Sequence, residues 1–569
     1  MMLALHLQSL LFLRPQTQPL LRCSRLRASA AKWDPLADEA AARKLGVWPL
    51  DADNAAMLDE VHPRAWCDPI PPDVYDLVVI GAGAGGLVSS KQSARRGARS
   101  CLISEELAGG DCLVVGCVPS KALLRAARVV REVRRADKFG VVIPGAPTVD
   151  FPAVMQRLRA KRRQIAPADS HEGTAATGAD VYQGRGRFTG PNSVEVNGQT
   201  LRFRKAVVAT GGRALLPAIP GLERVPYLTN ANLFNLEELP RRLAILGGGA
   251  VGLEMAQAFA AFGSDVTVIA RSAKLLRGEA PAAVAALQAA LEREGVRFLL
   301  GAEPTSVEQV APPPGAPPAA GAPPAAGAPP SVLRLSLSSG EIVDCEQLLV
   351  ASGRVPNTAD LGLELAGVEH GAGGVLVDDL LRTSNPDVYA VGDCVDGTPR
   401  LTHAAGEMAK LAVQNALFDG EWRLSSLVVP RCIYTEPELA SVGVTVDAAD
   451  AAEPDDADDS DDADDPIVEY AASLGGNDRA ILEGESDDGG LVLVRCRREC
   501  GTIVGATVLA NRAGDLINEL SLAIKAGLTM EAIGRNVHCY PTTGESIMGC
   551  GLQWINARWK TLPRAINKG

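Results

Sequence analysis

The sequence predicts an α/β protein with two Rossmann-like dinucleotide-binding domains followed by a C-terminal α+β domain. Two stretches, "YDLVVIGAGAGG" (75–86) and "LAILGGGAVG" (243–252), each join a short apolar strand to a glycine-rich turn and then a helical stretch. Dinucleotide-binding folds begin with such a unit, so the repeat predicts two nucleotide sites. After about residue 429 the 569-residue chain changes to short β-like runs and one amphipathic helix, which predicts a third domain.

Composition and charge restrict the partners of this chain. Its formal net charge is −12, but eleven acidic residues and no basic residue fall within the single stretch 447–465. The remainder is nearly neutral and has no basic patch, so we expect no nucleic-acid partner. No segment reaches the ~18 consecutive apolar residues that a membrane helix needs, so we expect no membrane span. Twelve scattered cysteines in so long a chain suit a reducing compartment with room for one catalytic pair.

The first 32 residues differ from the rest of the chain. They contain no Asp or Glu but several Arg and Ser, together with the apolar run "LALHLQSLLFL" (3–13). This composition is typical of an organellar transit peptide. A secretory signal is the rival interpretation, but His6 and Gln8 interrupt the apolar run and no basic region precedes it. We expect import into an organelle, with chloroplast and mitochondrion both left open.

Each glycine-rich turn contains the residues that a dinucleotide pyrophosphate requires. Gly81 allows a tight turn, Gly83 lets the pyrophosphate approach the backbone, and Gly86 lets the following helix pack on the strand. The second turn repeats the arrangement with Gly247, Gly249 and Gly252. One such motif is weak evidence because loops collect glycine, but two in the right context are strong evidence.

The residues at the end of the second strand distinguish the two sites. In the first unit "CLISEE" supplies Glu105 for a ribose contact. In the second unit Ala270 stands where an acid is expected, and Arg271 follows with Lys274 and Arg277 close behind. A missing acid beside basic residues is typical of a 2′-phosphate site and favours NADPH over NADH. The alternative is that Arg271 is an ordinary surface residue.

Two cysteines five positions apart, Cys112 and Cys117, lie in "GGDCLVVGCVPSKALL" (109–124). The pair indicates redox chemistry, a metal site or a structural bridge. Zinc would need two further ligands at similar spacing, and none lies nearby in the sequence. A static bridge inside a helical segment would be strained and readily reduced, which is a property that electron relay requires.

These motifs together resemble one family. "GGDCLVVGCVPSK" is similar to the redox-disulfide motif of the class I pyridine nucleotide–disulfide oxidoreductases, which include glutathione reductase, dihydrolipoamide dehydrogenase and mercuric reductase. The resemblance extends over 75–569 and includes "VVATGGR" (207–213), "VASGRVPN" (350–357), "TSNPDVYAVGD" (383–393) and "YPTTGE" (540–545). The sequence "GGDC" (109–112) and the segment "LDADNAAMLDEVHPRAW" (50–66), which precedes the first strand, look most like the mercuric-reductase-like subgroup.

The resemblance implies a division of the chain. After the transit peptide (1–32) and an N-terminal extension (33–74), it implies an FAD-binding domain at 75–222 and 353–428. An NADPH-binding domain would occupy 223–352 with a Pro/Ala/Gly-rich insert at 311–330. The dimerisation domain would occupy 429–569 with the acidic insert at 447–465. The chain would form a homodimer in which each active site borrows residues from the partner.

The resemblance also implies a path for electrons. NADPH would pass a hydride to FAD, and the reduced flavin would open a Cys112–Cys117 disulfide. Cys117 would be the thiolate beside the flavin and Cys112 the thiol that faces substrate. Lys121 would lie near flavin N5 and pair with Glu254. The other residues implied to bind cofactors are Thr210, Gly211 and Asp393 for FAD and Gly353 for the nicotinamide nucleotide.

The main departure from this family is at residue 540. Glutathione reductase and dihydrolipoamide dehydrogenase carry a His as acid–base catalyst where this chain has Tyr540, although Glu545 remains. A tyrosine with a pKa near 10 is a poor base at neutral pH compared with a histidine at about 6.5. We therefore expect slow exchange with organic disulfides. His538, two residues earlier, is a possible substitute or an ordinary loop residue.

The terminal electron acceptor is left open by these residues. Mercuric reductase also has Tyr at this position, because a metal ion bound by two thiolates needs no matched proton donor. Its delivering cysteine pair near the C-terminus is missing from "WKTLPRAINKG" (559–569), and Cys539 and Cys550 are weak substitutes. A metal ion, a quinone that takes electrons directly from the flavin, or an organic disulfide would each fit the first half of the mechanism. The alternatives are a dihydrolipoamide dehydrogenase or glutathione reductase, and a flavoprotein that has lost catalysis and serves as a scaffold. We expect no resident metal.

Overall fold

The computed structural model describes residues 32–145, 147–311, 332–445 and 465–559. The predicted transit peptide, apart from Lys32, lies outside the described residues. The same holds for the Pro/Ala/Gly-rich insert apart from Ala311 and for the acidic insert apart from Asp465. Within the described ranges, no helix is both long enough and apolar enough to cross a membrane.

The strands of the described residues are numbered in chain order. The early strands are β1 (Tyr75–Ile80), β2 (Ser100–Ser104), β3 (Asp180–Gln183), β4 (Arg187–Gly190), β5 (Ser193–Val196), β6 (Gln199–Val208) and β7 (Gly212–Ala214). They are followed by β8 (Arg242–Leu246), β9 (Asp265–Ala270), β10 (Arg297–Leu300), β11 (Pro304–Val310), β12 (Val332–Leu337), β13 (Ile342–Cys345) and β14 (Gln347–Val350). The last are β15 (Arg354–Pro356), β16 (His370–Gly371), β17 (Gly374–Val375), β18 (Val388–Ala390), β19 (Arg431–Ile433), β20 (Glu438–Gly443), β21 (Ile467–Ser473), β22 (Leu491–Arg497) and β23 (Ile503–Ala510).

The helices follow the same order. Before residue 200 they are α1 (Glu39–Lys44), α2 (Ala52–Val61), α3 (Ala84–Arg95), α4 (Gly110–Val114), α5 (Cys117–Arg134), α6 (Phe151–Ile165) and α7 (His171–Ala175). After it they are α8 (Asn230–Leu233), α9 (Ala250–Phe262), α10 (Pro281–Arg293), α11 (Thr402–Leu417), α12 (Asp478–Leu482), α13 (Ala513–Lys525), α14 (Met530–Arg535) and α15 (Glu545–Trp559).

The first unit is built around a seven-stranded sheet in the order β3-β2-β1-β6-β5-β4, with β18 beside β6. Strands β3, β2, β1, β6 and β18 run parallel, whereas β4 and β5 pair antiparallel. The central strand β1 is almost wholly buried, as its continuous apolar sequence predicts for a parallel strand with helices on both faces. Helix α3 leaves β1 at the first glycine-rich turn and packs on α11.

The second unit repeats this design on a smaller scale. Its parallel sheet has the order β10-β9-β8-β14, and an antiparallel sheet β11-β12-β13 adjoins it. Helix α9 follows β8 directly after the second glycine-rich turn. It is nearly all apolar because it is buried between β9 and α5. The two predicted strand–glycine–helix units are therefore both present.

The C-terminal unit is an antiparallel five-stranded sheet, β19-β20-β23-β22-β21, covered by α13 and α15. Its core is separate from the cores of the two nucleotide units and includes Ile517, Leu520 and Ile547. The predicted fold class, two Rossmann-like domains and a C-terminal α+β domain, is confirmed. The boundaries proposed at 222, 352 and 428 stay predictions.

The N-terminal extension is folded rather than a tail. Asp51 caps the N-terminus of α2, and its carboxylate accepts a hydrogen bond from the backbone N–H of Asn54 at 2.9 Å. The extension contributes several buried side chains to the core of the first unit: Trp33, Ala42, Val47, Leu50, Ala55, Met57, Leu58 and Val61. Helix α2 packs mainly on α6.

Candidate active site and its two nucleotide clefts

The first glycine-rich turn is shaped by two close backbone approaches. Gly81 has φ 107°, and a Cβ there would lie 2.3 Å from the carbonyl oxygen of Ala209. A Cβ on Gly86 would lie 1.7 Å from the carbonyl oxygen of Gly81, so α3 can pack this closely on the turn only because residue 86 is a glycine. A Cβ on Gly83 would contact nothing within 4 Å, which leaves the N-terminus of α3 open. That open helix end suits a pyrophosphate.

A cleft of about 410 Å³ opens beside this turn. The residues predicted for FAD that line it are Gly81, Gly83, Glu105, Thr210, Gly211 and Asp393, and Cys112 joins them at one wall. A helix N-terminus for the pyrophosphate and carboxylates for hydroxyl groups fit the donors and acceptors of FAD. Lys121 and Cys117 are not among the described residues that line this cleft.

Several polar contacts in the first cleft were not predicted from the sequence. Arg354 donates to the carboxylate of Asp393 at 3.1 Å and to that of Asp111, the residue before Cys112, at 2.5 Å. Burial is the main reason that the pKa of Asp393 is raised. The predicted ribose ligand Glu105 pairs with Arg185 at 2.9 Å.

The second cleft has the same construction and measures about 1050 Å³. A Cβ on Gly247, whose φ is 129°, would lie 2.2 Å from the carbonyl oxygen of Ala351, and one on Gly252 would lie 2.2 Å from that of Gly247. Gly249 faces open space. The three basic residues singled out from the sequence, Arg271, Lys274 and Arg277, line this cleft together with Gly353, and Arg431 is a fourth basic residue there.

The two predicted redox cysteines lie on two successive helices. Cys112 is in α4, and Cys117 is the first residue of α5. The helical segment expected around the two thiols is divided by Val115 and Gly116, and its second helix begins at Cys117. At Gly116 a Cβ would lie 2.6 Å from the carbonyl oxygen of Asp111, so this sharp break requires glycine. The break lets the two thiols face each other across the turn.

The two thiols have opposite acidities. The pKa of Cys117 is lowered to about 6, and the largest cause is a hydrogen bond from the Cys112 thiol to the Cys117 sulfur. The Thr402 hydroxyl, 3.3 Å from that sulfur, and the charge of Lys121 act in the same direction, whereas burial opposes them. The same hydrogen bond and burial raise the pKa of Cys112. The directions of these pKa shifts favour Cys117 over Cys112 as the thiolate, and the catalytic roles that the family resemblance implies for the two thiols stay predictions.

Lys121 and Glu254 form an ion pair between two units. The Lys121 ammonium lies 2.9 Å from the nearer Glu254 carboxylate oxygen, and only 6% of the Glu254 side chain is exposed. Glu254 also accepts the backbone N–H of Tyr434 at 3.0 Å, and the Tyr434 ring lies 4.2 Å from the ammonium. Tyr434 was not singled out from the sequence, because a tyrosine in a loop carries no local signal.

Tyr540 and Glu545 lie elsewhere, on the C-terminal unit. The Tyr540 ring is 72% exposed, and its hydroxyl donates to Asp478 at 2.7 Å. Glu545 accepts the backbone N–H of Thr542 at 3.0 Å at the start of α15. Neither lines either of the two clefts described above. That a second copy brings them to the cysteine pair stays a prediction.

The other residues considered near the C-terminus also have defined places. His538 pairs with Glu519 at 3.1 Å. Cys539 is exposed, whereas Cys550 is fully buried in the core of the C-terminal unit, where burial raises its pKa to about 12. Among the described residues, no cluster of three or more His, Cys, Asp or Glu side chains could hold a metal ion.

Comparison with known proteins agrees with this arrangement. The model of the pyridine nucleotide-disulphide oxidoreductase family matches residues 75–409, and that of its dimerisation domain matches 429–549. A dihydrolipoyl dehydrogenase of Chlamydia muridarum is 33% identical over 480 residues, which are 83% of this chain and 95% of the relative. A mercuric reductase of Lysinibacillus sphaericus is 30% identical over 511 residues, 89% of this chain and 87% of the relative.

A solved structure has the same fold. The HOCl-induced flavoprotein disulfide reductase RclA from Escherichia coli superposes with a TM-score of 0.70 at 24% identity, covering 84% of this chain and 99% of that one. The fold and the paired thiols define a flavoprotein disulfide reductase, an enzyme that uses FAD and a pyridine nucleotide. This chain belongs to the class I pyridine nucleotide–disulfide oxidoreductase family, and its dimerisation domain supports a homodimer.

Proposed function

We propose that this enzyme carries electrons from NADPH through Cys112 and Cys117 to a metal ion or a quinone. The observation that carries the proposal is the thiol pair: one thiolate with a pKa of about 6 receives a hydrogen bond from one high-pKa thiol beside the first cleft. FAD, when bound, would accept a hydride from NADPH and pass two electrons on to the disulfide. Breaking the S–S bond leaves Cys117 as thiolate and Cys112 as thiol after uptake of one proton.

The residues around the pair support this division of roles. Thr402 and Lys121 stabilise negative charge on the Cys117 sulfur, so that this sulfur leaves as a thiolate. Cys112 keeps its proton and lines the cleft, where it can donate that proton or bind an acceptor after losing it. For NADPH over NADH the support is Ala270 followed by Arg271, with the cations Lys274 and Arg277 lining the same cleft.

Tyr540 supports an acceptor that needs no proton donor. Its phenol donates to Asp478, and this hydrogen bond raises its pKa, so it is a weak acid–base group at neutral pH. A mercuric reductase is among the relatives of this chain, which agrees with a metal-ion acceptor. The second candidate is a dihydrolipoyl dehydrogenase, favoured by relatives of that name and disfavoured by Tyr540. A scaffold without catalysis would have no use for the low pKa of Cys117.

The experiment that tests the proposal is an anaerobic titration of the FAD-loaded enzyme with NADPH. We expect four electrons per FAD and a long-wavelength absorption band from the Cys117 thiolate against oxidised flavin. Cys117→Ser should lose the band and Cys112→Ser should retain it. Uptake of only two electrons, with bleaching alone, would contradict the proposal. Adding Hg(II), a quinone, lipoamide and oxidised glutathione in turn then identifies the acceptor that re-oxidises the enzyme fastest.

Import into a chloroplast or mitochondrion through residues 1–32 is part of the same proposal. The support is the acid-free, Arg- and Ser-containing composition of that stretch. A fluorescent protein fused after residue 74 should enter the organelle, and the same fusion without residues 1–32 should stay in the cytosol. If the two fusions had the same distribution in the cell, import through residues 1–32 would be excluded.

A further inference from the structure

The N-terminal extension holds the segment that carries the redox cysteines. The family model begins only at residue 75, so the extension (33–74) is an addition to the matched domains. We call residues 105–117 the redox segment. Two contacts join the extension to the beginning of the redox segment. In the first, the backbone N–H of Ala108 donates to the carbonyl of Val61 at 3.1 Å. In addition, the His62 ring nitrogen Nδ1 lies 2.7 Å from the carbonyl oxygen of Glu106.

A third contact reaches the middle of the redox segment through a buried cation. Arg162, in α6, donates one guanidinium N–H to the carbonyl of Val114 at 2.8 Å. A second N–H donates to the side-chain oxygen of Asn54, in α2, at 3.0 Å. Val114 lies between Cys112 and Cys117, so this chain of hydrogen bonds runs from the extension to the turn between the two thiols.

The buried position makes these hydrogen bonds strong constraints. Arg162 is 1% exposed and Asn54 is fully buried, and burial lowers the pKa of Arg162 to about 10. The Nε of Arg162 has no hydrogen-bond partner among the described residues. A buried guanidinium that loses a partner is left poorly solvated, so it retains the two it has. The Asn54 amide cannot easily rotate, because its nitrogen donates to the carbonyl of Pro49 at 2.7 Å.

We propose that Asn54 and Arg162 are positioning residues of the redox centre. Through Val114 they hold α4 in place, and with it Cys112, at hydrogen-bond distance from Cys117. The proposal rests on the proposed function only in naming this pair the redox centre; the geometry of the two thiols is independent of it. The extension would thus act on the chemistry without touching substrate or cofactor.

The position of Cys112 is measurable as the acidity of Cys117. The hydrogen bond from Cys112 is the largest cause of the low pKa of Cys117. If Val114 is released, α4 shifts, that hydrogen bond lengthens, and the thiolate loses its main stabilisation. The pKa of Cys117 then rises toward the ordinary value of a thiol. A merely structural role for Asn54 would lower stability and leave this pKa unchanged.

The test compares Asn54→Leu and Arg162→Gln with two controls in the FAD-loaded enzyme after reduction. Asn54→Asp keeps an oxygen acceptor for Arg162 but loses the donor to the Pro49 carbonyl, so its melting temperature should fall while the acidity of Cys117 stays that of the wild type. Asp53→Asn removes the neighbouring Asp53–Arg163 ion pair, 3.0 Å long, between the same two helices without touching the redox segment. The readout is the rate of iodoacetamide alkylation of Cys117 as a function of pH, followed by mass spectrometry of its peptide, with the melting temperature of each variant alongside.

We expect the alkylation midpoint of Cys117 to rise by about one pH unit in Asn54→Leu and Arg162→Gln, a roughly tenfold loss of thiolate at any pH well below the midpoint. It should be unchanged in the two controls. An unchanged midpoint in folded Asn54→Leu would overturn the inference, as would an equal rise in Asp53→Asn. This outcome is separate from the proposed function, which fails on the number of electrons taken up by the wild type and not on this midpoint.

Discussion

The ammonium of Lys121 lies 2.9 Å from the carboxylate of Glu254, and this ion pair joins the redox helix α5 to helix α9 of the second nucleotide unit. Lys121 follows Cys117 by one turn of α5, so its charge acts directly on the thiolate. Glu254, almost fully buried, is held by the backbone N–H of Tyr434 as well. The pair therefore places one charge of each sign near the same sulfur.

Opposite shifts of the Cys117 pKa are expected when the two members of this ion pair are neutralised. Lys121 lowers that pKa and Glu254 raises it. Lys121→Met should raise the alkylation midpoint of Cys117 by about half a unit, and Glu254→Gln should lower it by a similar amount, which is ~0.7 kcal/mol in each direction. Glu254→Gln keeps an oxygen to accept the Tyr434 N–H. Shifts of the same sign in both variants would contradict this electrostatic account.

The pH dependence of the reduced enzyme follows from the acidity of Cys117. The thiolate is present above its pKa of about 6 and is lost as the pH falls through that value. The long-wavelength band of the reduced, FAD-loaded enzyme should therefore disappear with a midpoint near pH 6. Cys112→Ala, which removes the main hydrogen-bond donor, should raise the midpoint by at least about one unit.

Thr402→Val is the matched milder variant, because the Thr402 hydroxyl is a smaller cause of the same pKa shift. It should raise the midpoint by less than Cys112→Ala does. A larger effect of Thr402→Val would mean that the hydroxyl, rather than the neighbouring thiol, is the principal stabiliser of the thiolate.

The fold was predictable from the sequence because its signals are local. The turn at Gly81 and that at Gly247 each follow a buried strand directly, and each helix that follows packs through a glycine, Gly86 or Gly252, on the carbonyl of the glycine five residues earlier. The cysteine pair was found for the same reason, since Cys112 and Cys117 lie close together in the sequence. The break between them at Gly116 was missed, because the approach to the Asp111 carbonyl depends on the three-dimensional turn.

The remaining contacts of the site depend on long-range packing. Thr402 is 285 residues from Cys117 in sequence, and Asn54 is 108 residues from Arg162. No periodicity or motif joins such positions, because their meeting is decided by how whole helices pack. Arg162 itself looks like a surface residue within the basic stretch "RAKRRQ" (159–164) and is instead buried. Sequence patterns therefore locate the reacting groups here, and not the distant contacts, such as that of Thr402 with Cys117, that also set their acidity.

Coenzyme preference should depend on Arg271. Its guanidinium lines the second cleft beside Ala270, where a carboxylate would repel a 2′-phosphate. Arg271→Ala should raise the KM for NADPH at least about tenfold while leaving the KM for NADH nearly unchanged, since a charge-assisted hydrogen bond is worth ~1.5–3 kcal/mol. Steady-state kinetics with both coenzymes measures this. Arg224→Ala, an exposed arginine that does not line the cleft, is the control. Equal loss with both coenzymes would exclude a 2′-phosphate contact.

Tyr540→His should convert the enzyme toward organic disulfides. The Tyr540 phenol donates to Asp478, which raises its pKa, so it exchanges protons poorly at neutral pH. A histidine with a pKa of about 6.5 could take that proton role from the same loop. Because general acid–base catalysis contributes roughly 10²–10⁴-fold, even a poorly aimed histidine should raise kcat/KM for lipoamide or oxidised glutathione at least about tenfold.

Tyr540→Phe separates this effect from the loss of the hydroxyl. It removes the bond to Asp478 without adding a base, so it should leave turnover of organic disulfides low and reduction of the preferred acceptor close to wild type. The pH profile of Tyr540→His should rise through a midpoint near that of a histidine, and mixed dimers with a Cys117→Ser subunit would show whether the residue acts in the partner's site. A gain of equal size in Tyr540→Phe would mean that the tyrosine obstructs access rather than lacking basicity.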